Sequence, residues 1–325
     1  MNPPTIRLAF IGTGGWARRY HFSTLAHIAT EDAVTTGAQL LLRGIYSLEP
    51  DVASAVANET GFQHVYPSLD ALIEDEQVDA MALAITPTAL VEVLPRVVAK
   101  GVPILCEKPP GETTAAAQAL SDIVTVSNVL AFNRRFAPLN NTFKRLVDEL
   151  DDIYYVEGDF YRHRRTDETF MIGTGIHWIN FMEYLFGPID TVRTSAFRNP
   201  GNETLNRIGD LTFTCGLRGQ LKVFQCNGAQ LERVTVHSSG RTLVLHGPLW
   251  QDPGHITIHE GAKVTHIDPE RDSPLPEIER LGIVGEYREL LTRGCHGLPT
   301  RSTFQNAVNS MRIAEAMEFA AASDE

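Results

Sequence analysis

From residue 6 to about residue 132 one theme repeats, a short apolar run followed by a stretch with helical spacing. The runs fall at 8–11, 40–46, 80–85, 102–106 and, more weakly, 129–132; helical spacing occupies 50–59, 68–74, 89–100 and 114–124. Parallel strands need long crossovers, which helices supply, so this alternation predicts βαβ units around a parallel sheet. Ligands of such sheets gather at the carboxyl ends of the strands. Gly101 reads as the cap closing one helix, and Thr113 as the N-cap opening the next.

Beyond about residue 150 the rhythm changes to longer alternating segments at 154–161, 191–197, 211–215, 220–225, 234–237, 242–245 and 255–259. Asn199-Pro200-Gly201 and Ser239-Gly240 suit hairpin turns, so an antiparallel sheet is expected here. Residues 176–186 read as a helix closed by Gly187-Pro188, and 302–322 as a final helix with Ala307, Val308, Met311 and Ala314 on one face. At 325 residues, against about 150 per domain, two domains follow. The expected division is 1–135 and 136–325, with the final helix free to pack back on the first domain.

Twenty-eight basic residues against 40 acidic ones leave a net charge of -12, a field that repels polyanions and argues against nucleic acid or anionic lipid as partner. No apolar run reaches the roughly 18 residues of a membrane helix, and residues 1–7 lack the pattern of a signal peptide. Cys106, Cys215, Cys226 and Cys295 are widely spaced and read as buried thiols of a reducing compartment, which makes the cytoplasm the expected location. No histidine or cysteine grouping has metal-ligand spacing; His237, His246, His255, His259 and His266 read as sheet surface.

Gly12-Thr13-Gly14-Gly15-Trp16-Ala17 follows the first apolar run directly and opens a helical stretch. The first glycine permits the tight turn, the second lets a pyrophosphate approach the backbone, and the small third residue lets helix and strand pack closely. Free N–H groups at the helix start add positive potential, with Arg18 and Arg19 one turn in. The loop therefore reads as a dinucleotide site. Ser47, not an acid, stands where the second strand should meet the ribose; this leans toward NADP over NAD, although Glu49 could swing onto the ribose and Ser47 could simply cap the following helix.

The run 102–106 leads straight into Glu107-Lys108-Pro109-Pro110-Gly111, which places an ammonium group on a stiff loop at the carboxyl edge of the sheet. With this loop, the glycine loop and its Arg18-Arg19-Tyr20-His21, Thr86-Pro87, Asn133-Arg134-Arg135-Phe136 and Gly175-Ile176-His177-Trp178-Ile179-Asn180, nearly the whole chain resembles the Gfo/Idh/MocA family: glucose-fructose oxidoreductase, inositol dehydrogenase and MocA-like nicotinamide-dependent oxidoreductases. The resemblance implies a Rossmann domain followed by an α+β domain with a large open, mostly antiparallel sheet that commonly joins subunits as dimers or tetramers. It implies that Lys108 hydrogen-bonds the reacting oxygen of a sugar-like substrate and that His177 is general base in oxidation and general acid in reduction. It places Thr86, Pro87, Glu107 and Lys108 with the glycine-loop residues and Ser47 at the cofactor, and Arg135 and Asn180 with Lys108 and His177 at the substrate.

Many family members carry an Asp four residues before this histidine and another three after; here Gly173 and Asn180 stand there. A histidine often found after Thr-Pro is also absent, since Thr88-Ala89-Leu90-Val91 follows Pro87. Lys108 and His177 could work alone, or Asp167, Glu168 or Tyr161 could fill the gap. A third reading is a dinucleotide-binding sensor without turnover. The basic run Tyr161-Arg162-His163-Arg164-Arg165 reads as a solvated or subunit-contact face, because alternate residues of a strand point opposite ways. Of Arg134 and Arg135, one could reach nicotinamide or substrate while the other is structural.

Overall fold

The computed structural model describes residues 4–31, 38–268, 270 and 273–322. Two compact units form, Met1–Phe136 with Gly282–Val308, and Ala137–Leu281 with Asn309–Glu325. A single cut at residue 135 therefore misses one exchange of chain: the helix Ile283–Thr292 packs on strands of the first unit. Its buried face carries Ile283, Val284, Tyr287, Leu290 and Leu291, which is apolar surface that the first unit's sheet covers.

The first unit is built on six parallel strands, β1 (Thr5–Ile11), β2 (Gln39–Tyr46), β3 (His64–Val65), β4 (Ala80–Leu83), β5 (Ile104–Cys106) and β6 (Asn128–Leu130), in the order β3-β2-β1-β4-β5-β6. This is a Rossmann sheet, with the order reversing beside β1, where the glycine loop lies. Strand β3 escapes sequence reading because it is two exposed residues long. Strand β4 stops at Leu83, short of Ile85, because the chain turns there toward β1: Ala84 N–H still bonds Ile11 O, but Ala84 O faces Gly12. Thr113 caps its helix by accepting from Ala116 N–H at 3.2 Å, and Gly101 follows the preceding helix with φ of +79°.

The second unit holds eight strands, β7 (Ile153–Tyr161), β8 (Ile189–Arg198), β9 (Leu205–Phe213), β10 (Arg218–Phe224), β11 (Leu231–Ser238), β12 (Thr242–His246), β13 (His255–Glu260) and β14 (Lys263–Ile267). Their order is β14-β13-β12-β11-β7-β10-β9-β8, and only β10 and β7 run parallel. Strand β14 is almost wholly exposed and mixes Lys, Thr and His with Val and Ile, so it lacks the alternation that marks the others. The helix Pro138–Asp148, which begins on a proline and buries Leu139, Phe143 and Val147, also escapes sequence reading. The helix Ile176–Phe186 falls where expected, but a π-helical turn, Met171–Gly175, runs into it.

The last helix, Phe304–Glu318, buries Ala307, Met311, Ala314 and Met317 at helical intervals. At its end, the Glu318 carboxylate accepts from Met171 N–H at 2.6 Å and is paired with Arg207, both side chains being almost fully buried. Arg207 also donates to the carbonyl of Met317 at 2.9 Å. The pair thus ties the π turn that precedes His177 to the sheet. Removing one partner strands a buried charge, so Arg207→Ala is expected to cost about 3–5 kcal/mol in urea unfolding.

Four expectations, most of them about the second unit, change on contact with the structure. Arg162 is neither solvated nor at a surface: it is 4% exposed, lies 3.7 Å above the Phe160 ring and is paired with the buried Glu232. Asp167 pairs with Arg165 at 2.7 Å, and the Tyr161 hydroxyl donates to Asp159 at 3.0 Å, so both have other engagements. Asn180 is fully buried and donates to Ser310 Oγ at 2.9 Å, within a network that includes Glu183 and Asn309. Among the four free cysteines Cys106 is buried, Cys215 is exposed in the turn after β9, and Cys226 and Cys295 lie between these extremes.

Candidate active site

In the first unit the glycine loop adopts the shape its residues require. Gly12 has φ of +103°, and a Cβ there would fall 2.4 Å from Ala84 O. Gly12 N–H donates to Tyr46 O at 2.8 Å, which fastens the loop to the end of β2. A Cβ on Gly14 or Gly15 would meet nothing within 4 Å, so these two glycines leave space above the loop rather than serve internal packing. Ala17 is fully buried, Trp16 is 41% exposed and packs against Tyr20 with ring centroids 4.4 Å apart, and Arg18 and Arg19 are exposed. The helix that follows starts with a π turn, Ala17–His21, before Phe22–Thr30. Open space beside a glycine turn and a helix start is what a dinucleotide pyrophosphate needs.

Ser47 lies at the end of β2, with its hydroxyl 2.7 Å from Thr13 Oγ1 and accepting from Glu49 N–H at 3.2 Å. It therefore both joins the glycine loop and shapes the turn into the helix Pro50–Thr60. Thr86 caps the helix Pro87–Ala99 through Ala89 N–H at 3.3 Å, and Pro87 is that helix's first residue, where its missing N–H costs nothing.

The lysine loop follows β5, and the Lys108–Pro109 peptide is cis. Glu107 is held from two sides: its Oε1 lies 2.8 Å from His21 Nε2, and its Oε2 accepts from Lys108 N–H at 3.2 Å. His21 is fully buried, and its Nδ1 lies 2.7 Å from the Tyr287 hydroxyl. A carboxylate only accepts, so the consistent arrangement has His21 Nε2–H donating to Glu107 and Tyr287 O–H donating to Nδ1. This chain of bonds connects the glycine-loop helix, the lysine loop and the helix Ile283–Thr292. Burial, with Glu286 and Glu107 adding to it, raises the Tyr287 pKa well above the ordinary phenol value, so Tyr287 remains a donor.

Next to Tyr287 stands Glu286, 1% exposed, whose Oε1 is buried without a hydrogen-bond partner. Burial first, then the like charge of Glu107, pushes its carboxyl well above the usual carboxylate range, against the opposing pull of Arg134 and Lys108. Arg135, expected at the substrate, is buried and donates to Arg301 O at 2.7 Å, because its strand-end turn packs under the loop 299–301. Arg134 is half-buried and is the one whose charge acts on Glu286. Sequence reading passed over Glu286 and Tyr287, which lie far along the chain from Glu107 and have no local pattern to mark them.

In the second unit His177 sits in the first turn of the helix Ile176–Phe186 and is partly exposed, with its Nδ1 buried. Gly173 lies in the π turn four residues earlier, and a Cβ there would meet nothing within 4 Å.

Residues 6–133 match the model of the family described as "Oxidoreductase family, NAD-binding Rossmann fold". Inositol 2-dehydrogenase 2 of Saccharopolyspora erythraea is 25% identical over 309 residues, covering 89% of this chain and 87% of that protein. D-xylose 1-dehydrogenase (NADP(+)) 2 of Haloferax volcanii is 32% identical over 112 residues, 33% of this chain and 34% of that protein. Among solved structures, a dehydrogenase from Chromobacterium violaceum superposes with a TM-score of 0.83 at 18% identity, covering 97% of this chain and 94% of that one. A levoglucosan dehydrogenase in complex with NADH and levoglucosan gives 0.82 at 15% identity, covering 96% of each chain; at such identities these two likenesses speak to the fold. Residues 6–133 thus match the NAD-binding Rossmann domain of the Gfo/Idh/MocA oxidoreductase family.

Proposed function

We propose that the protein moves hydride between a nicotinamide dinucleotide and a secondary alcohol or ketone carbon of a sugar, cyclitol or sugar derivative. The observation that carries this reading is the bond from His21 to Glu107, at 2.8 Å, which builds the glycine-loop helix and the Lys108 loop into one frame. Gly12, Gly14, Gly15, Trp16, Ala17 and Arg18 would hold the dinucleotide, with Ser47, Thr86 and Pro87 at its margins; the nicotinamide, when bound, supplies or accepts the hydride. The absence of an acid at Ser47 favours NADP.

Lys108 keeps its ammonium near the reacting oxygen and stabilises negative charge as it develops there. Hydride can leave a carbinol carbon only if the hydroxyl proton leaves too, and imidazole is suited to take it at neutral pH. His177 Nε2 is assigned that proton, returning it in reduction. The open, mostly antiparallel sheet of the second unit is the proposed contact between subunits of a dimer or tetramer. No described helix is long and apolar enough to cross a membrane, and the four free thiols support a cytoplasmic location.

A second reading is favoured by Gly173, which offers no carboxylate to the His177 turn: a dinucleotide-binding sensor without turnover. Absorbance of reduced nicotinamide, followed with NAD or NADP against a panel of sugars and cyclitols, separates the two. Turnover that His177→Ala lowers by about 10²–10⁴-fold is the expected result. Dinucleotide binding with no turnover across the panel supports the sensor.

A further inference from the structure

His21 is fully buried at the end of the π turn Ala17–His21, with the Phe10 and Tyr287 rings each 5.7 Å away between centroids. An apolar side chain in that space would avoid the cost of burying two ring nitrogens, and π turns are frequent at functional sites. Both nitrogens are bonded, Nδ1 to the Tyr287 hydroxyl at 2.7 Å and Nε2 to Glu107 Oε1 at 2.8 Å. A ring bonded at both nitrogens has one orientation, and here it aims Nε2 at the Glu107 carboxylate. The other oxygen of that carboxylate accepts from Lys108 N–H at 3.2 Å. Tyr287, His21, Glu107 and Lys108 thus form one run of hydrogen bonds, which starts on the helix Ile283–Thr292 and ends on the backbone of the lysine.

The rest of the loop is fixed by other means. Pro109 and Pro110 restrict φ, a Cβ on Gly111 would lie 2.9 Å from Ala117 N, and Glu112 Oε1 accepts from Thr88 Oγ1 at 2.7 Å. Toward β5, Glu107 N–H donates to Leu83 O at 2.8 Å. Between these anchors Lys108 N–H is bonded to the Glu107 carboxylate, and His21 sets where that carboxylate stands. We propose that His21, with Tyr287 behind it, is a positioning residue of Lys108: it holds the carboxylate that fixes the lysine's backbone at the carboxyl edge of the sheet. An apolar ring would fill the same space and leave the carboxylate free to turn. Misplacing a reacting group by about 1 Å can cost about 10²-fold in rate, so the hold matters to the chemistry.

This inference rests on the reading of Lys108 as the group that meets the substrate, yet its geometry can be tested without one. Amide hydrogen exchange of the full chain is followed by mass spectrometry with residue-level fragmentation. Pro109 and Pro110 carry no N–H, so Glu107 and Lys108 are neighbouring reporters, the first bonded to strand backbone and the second to the carboxylate. In His21→Leu the Lys108 amide should exchange about tenfold faster while the Glu107 amide changes by less than about twofold. His21→Gln, whose amide can still donate to Glu107, should restore slow exchange at Lys108. Tyr287→Phe removes only the hydroxyl and should speed Lys108 by about threefold, so a misfolded His21→Leu does not end the test. A native Lys108 amide as fast as an unbonded one, an unchanged Lys108 in the folded variants, or two amides that speed up together each overturn the proposal. On a turned-over sugar or cyclitol, His21→Leu should lower kcat by about 10–10²-fold with NADPH affinity within about threefold, and His21→Gln should recover most of the rate. An unchanged kcat, or an equal loss of NADPH affinity, also overturns it. No binding of NADPH or NADH by the native protein, followed by nicotinamide fluorescence, would sink the oxidoreductase reading instead, and the two amides would still decide whether His21 holds the lysine's backbone.

Discussion

Lys108→Met should lower kcat/KM on a turned-over sugar or cyclitol by about 10³-fold, near 4 kcal/mol of transition-state stabilisation. Methionine keeps the length and apolar stem of lysine and removes only the ammonium, so the half-buried position stays filled. Because the lost interaction belongs to charge that develops during reaction, the decrease should appear in kcat as well as in kcat/KM. The affinity for the dinucleotide should move by less than about threefold, since the ammonium contributes mainly to the transition state in this reading. Steady-state kinetics beside a fluorescence titration of NADPH measure both quantities. An unchanged kcat/KM would remove Lys108 from the chemistry, and a collapse of cofactor affinity would assign it to binding instead.

The glycine loop supports a second large effect, read as a contrast between two substitutions. Gly12→Ala puts a methyl group 2.4 Å from Ala84 O and forces an alanine to φ near +103°, so it should lower folding stability by at least about 2 kcal/mol. Gly14→Ala meets nothing within 4 Å in the protein itself, so its stability should stay within about 0.5–1 kcal/mol of the native value. Both should weaken dinucleotide binding by about tenfold or more, the first by deforming the loop and the second by occupying the space left for pyrophosphate. Urea unfolding and nicotinamide fluorescence on both variants check this. Equal binding by native protein and Gly14→Ala would mean that the open space is not where the dinucleotide lies.

Much of the first unit is legible in the chain because its signals are local. A run such as 40–46 followed by helical spacing names a strand and its crossover, and parallel strands covered by helices leave little freedom in how they assemble. The positive φ of Gly12 and Gly101 and the bond from Thr113 to Ala116 three residues on are local features of backbone and sequence, so a sequence window finds them. The segments that escaped were those with weak local patterns: β3, too short to alternate, β14, too exposed, and the helix Ile283–Thr292, whose apolar face has meaning only against strands more than 150 residues earlier. The glycine loop, Lys108 and His177 stand out by motif, but the fates of their neighbours do not. Arg135 and Asn180 look as available as Arg134 and His177 until burial removes them, one onto Arg301 O and the other onto Ser310.

By its sequence alone this protein had to form strand-helix units around a glycine turn, because backbone conformation at Gly12 and the alternation of apolar runs are short-range properties. Only the tertiary structure decided which charges are spent inside the fold and which remain for a ligand. Arg162 with Glu232 and Arg207 with Glu318 each join residues 70 or more positions apart. A buried charge must find its counterpart wherever the chain brings one, and no sequence window spans that distance.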